Sequence, residues 1–96
     1  MSQRIDRAWV VFASVENDAH DRCVDVFYRP DRTFGFEEFR RDVEDRGAWT
    51  PVRFFSGVLY RTAEDAYRAA QEHVPWFAEI LTASPSLRRL PPEDRA

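Results

Sequence analysis

Apolar residues run in short alternating bursts through the first two thirds of the chain and then change to helical spacing. Residues 8–15 (AWVVFASV) form a compact run of β-branched and aromatic types between polar flanks, the pattern of a strand buried on at least one face. Residues 16–21 supply turn chemistry, and residues 23–28 (CVDVFY) resume with Val24, Val26 and Tyr28 on one face and Asp25 on the other. This second strand is expected to run antiparallel to the first, with Asp25 facing solvent. Arg29-Pro30-Asp31-Arg32 then punctuates, Pro30 suiting an early turn position.

Residues 33–45 (TFGFEEFRRDVED) carry two patterns at once. Phe34 and Phe36 alternate as in a strand, whereas Phe36, Phe39 and Val43 fall at i, i+3 and i+7 as on a helix face. Gly35 in the first turn and the lack of a capping box argue against the helix. A third strand over residues 33–41, followed by an acidic loop, is the expectation. Residues 49–60 (WTPVRFFSGVLY) read as a long, twisted strand. Pro51 cannot donate to a ladder and belongs near its start or on an edge, and Ser56-Gly57 suggests a bulge.

Thr62 opens the clearest helix, offering a capping hydroxyl ahead of Glu64 and Asp65, which complement the positive end of the helix dipole. Ala63, Ala66, Tyr67, Ala70 and Val74 form an i, i+3, i+4, i+7, i+11 stripe. Pro75 should end or kink that helix near His73, and it suits the first position of a second short one carrying Trp76, Phe77, Ile80 and Leu81. Strands first and helices after predict an α+β domain over residues 1–82: an antiparallel β-meander of three to four strands packed on the C-terminal helix. Residues 83–96, with three prolines and little periodicity, read as a flexible tail.

Composition sharpens this picture in one region. Aromatic residues make up 15% of the 96 residues, and nine of the fourteen fall within residues 27–60. The same stretch carries six acids and six arginines, so its rings stand in a balanced field. All basic residues are arginine, as a GC-rich bacterial genome would give, and the net charge is −3. Neither half of the chain is the basic patch that supplies most non-specific nucleic-acid affinity, so a nucleic-acid partner is not expected. Cys23 is the only cysteine, and no apolar stretch approaches a membrane span, so a reducing cytoplasm and no membrane association are expected.

Candidate chemistry is sparse. His20-x-x-Cys23 supplies half of a zinc site and no more. Cys23, flanked by strand valines, reads as inert, and Glu37, Glu38, Asp42, Glu44 and Asp45, interleaved with Arg40, Arg41 and Arg46, read as a solvated face. No phosphate loop, dinucleotide fingerprint, nucleophile elbow or calcium loop is present. No cofactor and no catalytic role are therefore expected. The expected role is that of a non-catalytic binding module, using an open sheet face with Phe34, Phe36, Arg40, Trp49, Arg53 and Phe55 for a protein partner or a second copy. Phe54 and Phe55 are adjacent, so in a strand at least one of them would face away from the helix. Single-stranded nucleic-acid binding by stacking plus arginine is the alternative; a small enzyme using carboxylates or Cys23 is a third reading.

Overall fold

The computed structural model describes residues 6–42 and 47–91. Four strands, β1 (Val10–Glu16), β2 (Arg22–Tyr28), β3 (Phe34–Asp42) and β4 (Ala48–Pro51), form one antiparallel sheet in the order β1-β2-β3-β4. Two helices follow, α1 (Ala63–His73) and α2 (Pro75–Ala83), and a short 3-10 turn at Pro85–Leu87. The meander and its C-terminal helices are the α+β arrangement expected from the pattern.

Local chemistry fixes each turn. Asn17 closes the β1–β2 turn, its side-chain oxygen accepting from the backbone N–H of Asp21 (3.0 Å) and Arg22 (3.1 Å). Asp31 does the same for β2–β3, accepting from both the N–H and the hydroxyl of Thr33 (3.0 and 2.7 Å). Those bonds hold the Asp31 carboxyl below the usual carboxylate range, the Thr33 hydroxyl contributing most. Thr62 caps α1, its hydroxyl accepting from the Asp65 N–H at 3.0 Å. The break expected at Pro75 is real: α1 stops at His73 and Pro75 starts α2.

The helices cover one sheet face. Ala13, Val15, Val24, Val26 and Phe36 pack against Ala66, Tyr67 and Ala70 of α1 and Phe77 and Leu81 of α2. Glu38, on the same face, accepts the indole N–H of Trp76 at 2.9 Å and ties α2 to β3. Leu87 also packs against this core, and the Tyr67 hydroxyl donates to the Arg89 carbonyl at 2.5 Å, so the expected tail is tied down past its first turn. Its residues 92–96 lie outside the described residues, as does the acidic loop at 43–46.

Four expectations are corrected. The far sheet face is not open along β2 and β3, because Cys23, Asp25, Phe27, Glu37 and Phe39 are all buried there. Trp9 stacks on Phe27 at 4.9 Å, and the Arg29 guanidinium lies 4.5 Å from the Trp9 ring centre. Asp25 accordingly faces no solvent; it accepts from the Ser14 hydroxyl at 2.7 Å and the Cys23 thiol at 3.3 Å. Glu37 and Glu38 are buried as well and belong to no solvated face.

The fourth correction concerns residues 49–60. Only Ala48–Pro51 pairs as a strand. Beyond Pro51 the Val52 N–H still follows β3, and the chain then leaves the ladder, turns through a left-handed Phe54 into a 3-10 turn at Phe55–Gly57, and rejoins the sheet's backbone pairing where Tyr60 bridges Phe34. Ser56 and Gly57 thus belong to that turn and not to a bulge.

Candidate functional site

The excursion at residues 52–59 is built by groups distant in sequence. Its backbone first follows β3, with the Val52 N–H donating to the Glu38 carbonyl at 2.8 Å. The 3-10 turn then presents N–H groups at one end and carbonyls at the other, and a buried charge meets each. The Glu37 carboxylate accepts from the N–H groups of Phe55 (3.1 Å) and Ser56 (2.9 Å). The Arg29 guanidinium donates to the carbonyls of Ser56 (2.7 Å) and Val58 (3.3 Å), and also to Phe34 (3.0 Å). Charge-assisted bonds of this kind are stronger than neutral ones.

Burial pushes the Arg29 guanidinium below its ordinary range, with nearby Asp31 opposing the shift. Room for Arg29 comes from Gly35: a Cβ there would sit 2.7 Å from the guanidinium nitrogen and 2.9 Å from the Phe27 ring. Gly35 is therefore a space requirement for the clamp.

What the clamp holds out is apolar. Phe54 is 72% exposed, Leu59 58% and Val58 48%. Phe54 sits at φ 58°, ψ 42°. Single turn residues visit this region, but an aromatic there is strained. Its neighbour Phe55 turns inward, stacking on Phe36 at 4.9 Å with His73 at 5.1 Å. Arg53 and Arg61 flank the excursion, are exposed, and make no ion pair among the described residues.

The six residues expected to share an open face do not. Phe36 is fully buried under α1, and Phe34 and Phe55 pack against that same core, so three of the rings serve the helix side. Trp49 lies half-buried on β4 beneath the Arg41 guanidinium, 4.7 Å from its ring centre. Arg40 is exposed on β3, in register with Thr50 and Arg22. Of the set, Arg53 and Phe55 belong to the clamped loop, and of these two only Arg53 is exposed. Of the residues that build and crown the loop, the sequence assigns Arg29, Val58 and Leu59 no site role. It marks Gly35 only as a helix-opposing position, Glu37 as part of a solvated face, and Phe54 only as one of two adjacent rings of which at least one would face away from the helix. One signal was available: residues 51–61 contain two arginines and no acid in a chain of net charge −3.

Other sites offer less. No group of three or more His, Cys, Asp or Glu residues among the described residues could hold a metal ion. No helix among them is long and apolar enough to cross a membrane. A concavity of about 340 Å³ on α1 is lined by Glu64, Arg68, Gln71, Glu72 and Arg88, with Arg68 already paired to Asp65 at 3.2 Å. No protein-family model matches the chain, no curated protein matches it, and no solved structure matches it.

Proposed function

We propose that this protein is a non-catalytic binding module whose contact element is the clamped loop at residues 52–59, recognising another protein. One observation carries the reading. Phe54 stands 72% in water in a conformation costly for an aromatic residue, and two buried charged side chains hold the adjoining turn. Such strain gains nothing for the fold, since an exposed ring adds little packing. It gains affinity if a partner receives the ring, because a fixed contact loses less entropy on binding. Aromatic and arginine side chains are the types that dominate interface energetics.

The reading is tested by placing the photo-crosslinker p-benzoylphenylalanine at position 54 and irradiating in a lysate of cells that make the protein. The expected result is one discrete protein adduct, suppressed by excess wild-type protein and not by the Phe54→Asn variant. Absence of an adduct, or equal suppression by both competitors, would remove the loop from the binding surface. Stacking on single-stranded nucleic acid has weaker support, because stacking platforms use several rings and Phe34, Phe36 and Phe55 are engaged in the core.

A further inference from the structure

From the loop's charge, size and rigidity we infer that its partner is a folded protein presenting an apolar pocket rimmed by carboxylates. The inference rests on the loop reading and goes on to name the receiving surface.

Charge gives the rim. Arg53 and Arg61 bracket the apolar tip, are exposed, and make no ion pair among the described residues, whereas Arg68 on the next helix is paired with both Glu64 and Asp65. Two exposed cations beside an apolar tip complement an anionic rim, which raises the rate of encounter and fixes register.

Tip-to-tip pairing with a second copy is disfavoured. Phe54, Val58 and Leu59 offer on the order of 300 Å² of apolar surface, less than the roughly 800 Å² per side of a stable standard interface, so the receiving surface must add contacts around the tip. A symmetric pairing of two such tips would also bring Arg53 and Arg61 of both chains together. A head-to-tail pairing would not close into a dimer. A small convex tip needs a concave receiver, and the concavity described on this chain is polar.

Rigidity excludes a lipid surface. A bilayer accepts an apolar side chain in any orientation, so fixing the backbone beside Phe54 with buried Arg29 and Glu37 gains nothing there. A pocket of fixed shape is different, because a ring held ready for it binds with less loss of freedom. The net charge of −3 further opposes adsorption to anionic lipid.

The chain has no lysine, which makes a direct test possible. In the doubly substituted Arg53→Lys/Arg61→Lys protein the loop carries its only side-chain amines. Carbodiimide condenses such an amine with a carboxylate in contact with it. Wild-type protein reports background from the amino terminus, and thermal unfolding confirms that both proteins are folded. The expected result in the same lysate is an adduct with another protein, mapped by mass spectrometry to an Asp or Glu and lowered at least tenfold when the doubly substituted protein itself also carries the Phe54→Asn substitution. An adduct joining two copies of this chain would overturn the inference in favour of self-association. Phe54-dependent flotation with vesicles of phosphatidylcholine and phosphatidylglycerol (three to one) would overturn it in favour of lipid. Capture by the crosslinker at position 54 without any lysine adduct would remove the acidic rim and leave the loop reading standing. Silence in both would remove both.

Discussion

Phe54 and its two distant supports show how single residues divide between fold and function here. His20 and Arg32 also have positive φ, but each sits in a tight turn between strands, where that conformation follows from the reversal. The left-handed region costs an ordinary residue about 1–2 kcal/mol, and asparagine tolerates it better. Replacing Phe54 by Asn should therefore leave stability unchanged or raise it by about 1 kcal/mol, seen as a thermal midpoint up to ~4–8 °C higher. A clear fall in midpoint would show that the ring supports the fold after all. Glu37→Gln should act in the opposite direction. It replaces an acceptor pair with an amide whose NH₂ faces backbone donors, at an expected cost of about 1–3 kcal/mol by denaturant unfolding.

At the level of the element, the loop is held at both ends by one mechanism. Arg29 and Glu37 do not form an ion pair with each other; they act on opposite ends of the same 3-10 turn. Losing one should loosen what the other holds. In a double-mutant cycle, Arg29→Gln and Glu37→Gln should be less than additive, with a coupling of ~0.5–3 kcal/mol; strict additivity would mean that the two bonds sets are independent. Gly35→Ala should reproduce the damage indirectly. Its methyl would meet the Arg29 guanidinium and the buried Phe27 ring, costing roughly 1–3 kcal/mol as an overpacked site. Alternation made β1, β2 and β3 legible in the sequence, and the alanine stripe did the same for α1. It separated the two faces of the sheet but could not say which one the helices would cover, so Phe34 and Phe36 were expected in the open. The loop was illegible for another reason. No glycine or asparagine marks the left-handed position at Phe54, and the clamp comes from residues 18 to 29 positions back in the chain.

Across the whole molecule, the helices cover one sheet face, the β2 and β3 residues of the other face are buried, and the C-terminal segment is fastened by Tyr67. Burial pushes the Tyr67 hydroxyl up to about 12. In the unfolded chain a tyrosine titrates near 10. The folded value is the higher one, so the stabilisation is complete below pH ~10 and is lost as pH rises from about 10 towards 12. Burial raises Tyr60 as well, an effect of the same sign. Urea midpoints should fall from pH 9 to pH 11, and the fall should be shallower in Tyr67→Phe. The segment's fastening was hidden in the sequence because Leu87 and Arg89 carry no periodic signal, and their partners lie in α1 and the core.

If the whole fold holds the loop, residues 52–59 should not open independently of it. Amide hydrogen exchange of the free protein measures this without any partner. The Phe55 and Ser56 amides should exchange about as slowly as those in the middle of β3, and their protection should collapse in Glu37→Gln while α1 remains protected. Exchange of these two amides at the rate of unstructured peptide in the wild-type protein would contradict a rigid, charge-clamped loop presenting Phe54.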